Sequence, residues 1–367
     1  MQTYSVNLEC KPVASFYSEK AANSVDLDIK KKLTHSINID ADITTDFNIG
    51  LIIGNSGSGK TTLAKEMFGK NIFSKKMNMK LPIIDQFSDD IEYKDRVKIL
   101  TGIGLNSIPC WIKPVGLLSN GQKARAEAAI LMTSKKLPVI DEFTSVVDRT
   151  IGKIMSHCVQ KYVRKNKKKI VLISCHYDII DWLDPDWIID LTEQKYIDRR
   201  SLRQSRKEKI KFEIRECDRK SWKGFSKYHY LSERLPGGKI WTYGLYLNDK
   251  QIGFQCFANY TPFKKNHSKM IVHSNRTVIH PDYQGLGLGI MMVNATCLIV
   301  KKNDVKIMAK FSNTAMHKSR QKMKEWRFLS EKMNTSKAQR KSGRNMERKA
   351  GFRTFVKTYQ YEYIGSV

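Results

Sequence analysis

The pattern of hydrophobic positions changes period along the chain. Val25-Asp26-Leu27-Asp28-Ile29 and Ile37-Asn38-Ile39-Asp40-Ala41-Asp42-Ile43 alternate, as half-buried strands do. Ile49-Gly50-Leu51-Ile52-Ile53 is an unbroken apolar run that stops at glycine, the pattern of a buried strand entering a turn. Thr61 to Phe68 then reads as a helix and Leu81-Pro82-Ile83-Ile84-Asp85 as a short strand. Gly121 to Lys136 is Ala-rich and helical. Leu137 to Asp141 and Ile170 to Ser174 are strands, with a helix over Thr150 to Arg164 between them. Strands alternating with helices predict an α/β unit with a mostly parallel sheet.

Tyr196 to Lys211 is dense in Arg and Lys and poor in apolar residues. It divides the chain into a first domain, 1–200, and a second, 201–367. In the second, Trp241 to Phe257 alternates around Asn248-Asp249, which predicts a hairpin. Lys269 to Ile279 reads as a strand, Pro281 to Gly289 as a turn and Ile290 to Lys302 as an apolar helix. Val305 to Phe311 and the aromatic Phe352 to Tyr363 complete a mixed α+β pattern. The very basic stretch Lys318 to Lys349 reads as a loop.

Length and composition agree with this division. A chain of 367 residues, 41% hydrophobic and 10% aromatic, suits two domains with real cores and excludes wholesale disorder. No apolar run reaches the ~18 residues that span a bilayer. Met1-Gln2-Thr3-Tyr4 lacks a basic region leading into an apolar one, so no secretion signal and no membrane are expected. The seven cysteines form no C-x-x-C pair, and a reducing cytoplasm fits them best. Charge is lopsided. Residues 1–200 carry 30 basic and 24 acidic side chains, whereas residues 201–367 carry 35 and 12. The second half therefore suits a polyanion, nucleic acid first of all.

Gly54-Asn55-Ser56-Gly57-Ser58-Gly59-Lys60-Thr61, with Thr62 beside it, fits G-x-x-x-x-G-K-[ST] directly after a buried strand. Such a loop turns backbone N–H groups toward phosphates, extends its lysine to the β- and γ-phosphates and offers a hydroxyl to Mg²⁺. Asp141, at a strand end, is a hard oxygen ligand for the same ion. Four further segments follow in order: Leu118-Ser119-Asn120-Gly121-Gln122, Pro138-Val139-Ile140-Asp141-Glu142, Ser145-Val146-Val147-Asp148 and Cys175-His176-Tyr177-Asp178. Together with Gln86, they resemble the signature, Walker B, D-loop, switch histidine and Q-loop of ABC-type ATPases over residues ~45–190, with Asn120 replacing the signature's first glycine. The resemblance implies ATP and Mg²⁺ as cofactors, with Thr61, Gln86 and Asp141 at the metal. It also implies Glu142 and His176 as catalytic residues, and Ser119, Gly121, Gln122 and Asp148 at the nucleotide. In that family the signature faces ATP held by the opposite subunit, which implies an ATP-dependent homodimer. Phe16 and Tyr17 are candidates for stacking on adenine, or equally for the core.

Val278-Ile279-His280-Pro281-Asp282-Tyr283-Gln284-Gly285-Leu286-Gly287-Leu288-Gly289 ends a strand, turns and opens a helix through glycines, a natural pyrophosphate site. A dinucleotide-binding loop is the competing reading. The segment and the elements after it resemble GNAT-family acetyltransferases over residues ~212–365. That resemblance implies acetyl-CoA, with pyrophosphate on Gln284, Gly285, Leu286, Gly287, Leu288 and Gly289 and the pantetheine arm along the backbone of Val278 and Ile279. The family's usual Glu base is not plain here, and His273 and His280 stand in its neighbourhood. Nor is its Tyr acid, where His317 and Trp326 stand. Trp222, Phe225, Tyr228, His229 and Tyr230 either form a core helix or stack nucleobases, as in the DNA-modifying, Mom-like branch that they faintly resemble.

The expectation is therefore an ATPase joined to an acyltransferase that acts on an amine of nucleic acid. The alternatives are a protein or small-amine acetyltransferase, and a catalytically dead GNAT fold within an ATP-gated nucleic-acid-binding module.

Overall fold

The computed structural model describes residues 2–10, 13, 15–25, 33–43, 46–69, 77–134, 136–200, 210–229, 234–259, 270–335 and 355–365. The chain divides into two compact units. One is Met1–Lys209 with Pro281–Leu286, and the other is Ile210–His280 with Gly287–Val367.

The first unit runs β1 (Gln2–Cys10), α1 (Phe16–Asn23), β2 (Leu33–Ala41), β3 (Ile49–Ile53), α2 (Lys60–Phe68), α3 (Tyr93–Gly102) and α4 (Ile108–Trp111). It continues with α5 (Asn120–Leu131), β4 (Val139–Ile140), α6 (Arg149–Lys165), β5 (Ile170–Ser174), α7 (Ile180–Leu183), β6 (Trp187–Asp190) and β7 (Lys195–Asp198). Its five-stranded sheet has the order β4-β5-β3-β6-β7, parallel except for the β6–β7 pair. β3 is central and buried on both faces, which explains its unbroken apolar sequence. Ile49, Leu51 and Ile53 face a core built largely from α3, α5 and α6. Ile52 faces the other core, with Leu63 and Ala64 of α2 and Ile37, Ile39 and Ala41 of β2. β2 alternates as its sequence predicts, and pairs antiparallel with β1.

One buried carboxylate fixes where β3 begins. Asp186, 1% exposed, accepts the N–H groups of Asn48 and Ile49 at 2.7 and 2.9 Å and pairs with Arg164 at 3.1 Å. Burial alone would raise its pKa. The two backbone N–H groups and the Arg164 guanidinium outweigh that and hold it below the usual carboxylate range.

Three expectations for this unit need correction or qualification. Leu81 to Asp85 is not a strand. Pro82 has no N–H to give a ladder, and the segment makes one isolated bridge to Pro114 before a 3₁₀ turn at Ile83–Asp85. The helix expected over Gly121 to Lys136 stops at Leu131. Helix α1, absent from the sequence reading, is closed by a capping box between Ser15 and Ser18. Of the alternating stretch Val25 to Ile29, residues 26–29 lie outside the described residues.

The second unit runs β8 (Glu213–Glu216), α8 (Trp222–Phe225), β9 (Ile240–Leu247), β10 (Lys250–Asn259), β11 (Ile271–Ile279), α9 (Leu288–Lys301), β12 (Lys306–Phe311), α10 (Thr314–Arg320), β13 (Trp326–Thr335) and β14 (Phe355–Tyr363). These strands form one sheet of order β13-β14-β12-β11-β10-β9-β8. Every neighbouring pair is antiparallel except β11–β12. The β9–β10 hairpin turns on Asn248 and Asp249, both with positive φ (48° and 62°), the geometry whose twist matches that of the strands. The loop expected from Lys318 to Lys349 is corrected in its first part. α10 ends inside it at Arg320, and Trp326–Thr335 is an edge strand that Lys and Arg residues disguise. Residues 336–349 lie outside the described residues.

Candidate functional site

In the first unit β3 delivers the chain into Gly54–Gly59, and α2 starts at Lys60. Gly57 and Gly59 take φ of 79° and 85°, left-handed backbone that glycine adopts without strain. Gly59 is the N-cap of α2 and no side chain caps that end, so the N–H groups of the first turn keep their polarity for a ligand. Asn55, Ser56 and Gly57 are exposed, and Thr62 is exposed on α2. Lys60 curls back, donating from Nζ to the carbonyls of Gly54 and Asn55 at 2.9 and 2.6 Å. Ser58 Oγ is buried without a hydrogen-bond partner, an orphaned hydroxyl inside the loop.

β4 brings Asp141 against this loop. Thr61 Oγ1 donates to Asp141 Oδ2 at 2.7 Å, so the two hard oxygens expected at Mg²⁺ are already together. That donor set fits Mg²⁺, which takes few protein ligands and completes its shell with phosphate oxygens and water. Gln86 is not brought to this pair by any hydrogen bond. Its amide accepts from Asn78 N at 2.8 Å and donates to the carbonyls of Asn78 and Leu81, each at 3.0 Å. These bonds make it a clasp on the 78–81 loop.

Glu142 is exposed, with φ of 54°, and its N–H donates to Asp141 Oδ1 at 2.8 Å. Thr144, 1% exposed, also has positive φ, at 70°. His176 follows β5, with Nδ1 3.2 Å from Thr144 Oγ1. Burial, then the nearby Arg149 guanidinium, lower its pKa, opposed by Asp178 and Glu142. Arg149 and Asp178 form an ion pair. Asp148 accepts from Thr150 N at 2.9 Å as the N-cap of α6.

The signature residues open α5. Ser119 is exposed and is the N-cap, and Gly121 is buried. Gln122 is buried too, and its side chain accepts from Ser119 N at 3.3 Å in a capping box. It thus closes the N-terminus of α5. Phe16 and Tyr17 stand on α1 at 73% and 80% exposure, so neither belongs to the core.

The glycine-rich loop of the second half divides between the units. Gln284, Gly285 and Leu286 fall with the first, and Gly287, Leu288 and Gly289 with the second. Within the first unit, Ser119 Oγ donates to Asp282 at 3.0 Å and Gln284 Oε1 accepts from Asn106 N at 3.2 Å. Arg125, wholly buried, donates to the carbonyls of Pro281 and Asp282 at 2.8 and 2.7 Å. Neither Arg125 nor Thr144 stands out in the sequence, where each looks like an ordinary helix or loop residue.

In the second unit, β11 pairs with β12 only from Ile271 to Ser274. Cys256 faces Arg276 and Phe257 faces Ser274, so Asn275 is an extra residue in β11, a bulge. Beyond it β11 keeps β10 on one side, through Ile279, and leaves β12 on the other. Among the described residues, Arg276, Thr277 and Val278 have no partner strand on the β12 side. At the end of that stretch α9 starts from Gly287, which has φ of 78° and no capping side chain. Val278 and Ile279 bury their side chains.

The candidate bases lie nearby. His280 Nε2 is 3.1 Å from Tyr228 Oη. Burial and Lys310 lower the pKa of His273. His229 is pushed down to about 4 by burial and then by Arg276. Trp222 and Phe225 are core, packed on Phe254, and are not available for stacking on a base. Tyr230 lies outside the described residues. His317 Nδ1 is 2.8 Å from Tyr361 Oη, and Trp326 is buried, donating to Asn294 at 2.8 Å.

Among the described residues no His, Cys, Asp and Glu side chains gather in threes as a metal cage, and no helix is long and apolar enough to cross a membrane. No family model and no curated protein matches the sequence. Solved structures similar to part of the chain include the ADP conformation of MJ1267, an ATP-binding cassette of an ABC transporter (16% identity over 45% of this chain and 82% of that one, TM-score 0.32). Another is the cassette MJ0796, dimeric in a post-hydrolysis state bound to ADP and Pi (16% identity, 46% and 92%, TM-score 0.36). A third is cbiO1 from Clostridium perfringens, part of the ABC transporter complex cbiONQ (17% identity, 46% and 79%, TM-score 0.33).

Proposed function

We propose that the chain joins an ABC-type ATPase to a GNAT-type acyltransferase that moves an acetyl group from acetyl-CoA to an amine on nucleic acid. The ATPase reading rests on the order of its motifs and on the 2.7 Å contact that joins Thr61 to Asp141. Bound Mg²⁺ would neutralise charge on the phosphate oxygens. Lys60 and the loop N–H groups hold phosphate, Glu142 orients water, and His176 donates toward developing charge. Ser119 and Gly121 serve the site of a second copy in an ATP-dependent dimer.

One observation carries the transferase reading. β11 parts from β12 at a bulge, and a helix with no side-chain cap begins after the end of β11. An amide-rich ligand with a pyrophosphate at one end suits that pairing. Strand backbone binds its amides and the N-terminus of α9 binds its anion. Attack of a neutral amine on the thioester carbon forms a C–N bond and releases the thiolate. The amine proton leaves through a group such as His280. The 35 basic against 12 acidic residues after position 200 support nucleic acid as the acceptor class.

A label-transfer assay tests this reading. Protein, acetyl-labelled coenzyme A, ATP and Mg²⁺ are mixed with a pool of nucleic acid and protein. ATP-dependent label that nuclease releases supports the proposal. Label that protease releases moves the acceptor to protein, and no label with ATP turnover intact leaves a binding module.

A further inference from the structure

The turn after Asp141 takes two unusual backbone conformations within three residues, and only one belongs to a residue the ATPase reading uses. Glu142 has φ of 54° and Thr144 φ of 70°. Left-handed backbone is rare for a β-branched residue and persists only where its surroundings impose it. Here they do. Phe143 is buried and its N–H donates to Ile173 O at 2.8 Å, while Ser145 N donates back to Glu142 O at 3.0 Å. Gly152 of α6 closes the other side, where a Cβ would lie 3.3 Å from the Cβ of Thr144. The result directs one buried hydroxyl at one ring nitrogen, Thr144 Oγ1 to His176 Nδ1 at 3.2 Å.

We propose that Thr144 is a positioning residue for His176, its hydroxyl donating to Nδ1 so that the ring proton sits on Nε2. The inference rests on the ATPase reading for its purpose and on this geometry for its content. The direction of the hydrogen bond follows from satisfaction. Were Nδ1 the donor, the buried hydroxyl would need another acceptor for its own hydrogen, and among the described residues its hydrogen bond is to the ring. The neutral ring that this requires agrees with its surroundings, since burial and Arg149 favour it over the charged form. The charged groups facing the ring are Arg149 and Asp178, paired with each other, and Glu142. The His176 N–H is tied to Ser174 Oγ at 3.1 Å, so backbone and Nδ1 are both held and Nε2 is left to donate. An Nε2–H is the donor that a γ-phosphate oxygen needs.

The test uses the full chain labelled with ¹⁵N-histidine and long-range ¹H–¹⁵N correlation, with His176 assigned by its loss in His176→Gln. Wild type is expected in the Nε2–H form. Thr144→Val should lose that preference and Thr144→Ser should keep it. Turnover should follow, with kcat down about tenfold or more in Thr144→Val, KM for ATP nearly unchanged and the serine variant near wild type. An Nδ1–H wild type overturns the proposal, as does a Thr144→Val protein with unchanged tautomer and kcat. Should Thr144→Val not fold, the wild-type tautomer decides. A wild type without ATP turnover refutes the ATPase reading instead, while the tautomer still answers this question.

Discussion

Asp186→Asn removes one charge from a site where three partners depend on it. The carboxylate is 1% exposed, accepts the N–H groups of Asn48 and Ile49, and faces Arg164 at 3.1 Å. Breaking a buried, hydrogen-bonded ion pair by removing one partner costs about 3–5 kcal/mol. Asparagine keeps one acceptor oxygen, and Arg164 is 19% exposed with Asp184 at 3.9 Å, so the lower end applies, about 3 kcal/mol. For a unit of this size that lowers the melting temperature by roughly 6–12 °C. Urea and thermal melts followed by tryptophan fluorescence measure it, since Trp187 is adjacent and 1% exposed. The pH dependence gives a second, sharper reading. The folded carboxyl is more acidic than in the unfolded chain, so its stabilisation is full above the unfolded pKa of ~3.9 and fades as pH falls toward the folded value. The gap between wild type and Asp186→Asn should therefore be constant from about pH 5 to 7 and shrink below about pH 4. A gap under about 1 kcal/mol at neutral pH, or one unchanged at about pH 3, would refute the reasoning. ATP affinity should survive below the melt, because Asp186 holds the opposite end of β3 from the phosphate loop, ~13 Å away at ~3.3 Å per residue.

Other outcomes follow from single contacts. Lys60→Ala and Glu142→Gln should each abolish steady-state ATP turnover, and only the lysine change should also weaken nucleotide binding in a filter assay. Gly50→Ala places a Cβ 2.0 Å from the Trp187 ring and should cost about 1–3 kcal/mol in urea unfolding, the range for an overpacked core. A Cβ at Gly287 would meet no atom within 4 Å, so in Gly287→Trp the backbone cost is the ~1–2 kcal/mol of a side chain at positive φ and the unit should fold. It should nonetheless lose acetyl-CoA binding by calorimetry while ATP turnover continues. Normal acetyl-CoA binding would remove that loop from the proposed site.

The sequence was most legible where burial forces residue choice. β3, β5 and α6 were read to within a residue or two, because a strand covered on both faces has nothing but apolar positions and a helix against a core shows its period. The phosphate loop was legible for a related reason, since its glycines and lysine have few substitutes. Legibility failed where a side chain's partner is backbone. Gln86 and Gln122 match motif positions, but nothing in the sequence shows that one also clasps a loop and the other also closes a capping box. Thr144 has no sequence signal at all, because its role depends on a backbone angle. β13 was hidden because it lies within the basic stretch Lys318 to Lys349, whose overall charge masks its apolar residues.

The central place of β3 has a consequence for how the chain comes into being. Its neighbours are β5 and β6, so Ile49 pairs with Ile170 and Gly50 with Trp187. A ribosome adding ~5–20 residues per second would take roughly 6–25 s to supply the first of them. During that time the phosphate loop is already made, yet the strand that aims it has no sheet to join. Its five apolar residues are then an exposed, sticky edge. Nucleotide cannot rescue such a nascent chain, because the geometry proposed to bind phosphate arrives only with β5 and β6. A ribosome stalled near residue 160 should therefore display the full phosphate-loop sequence and bind no ATP.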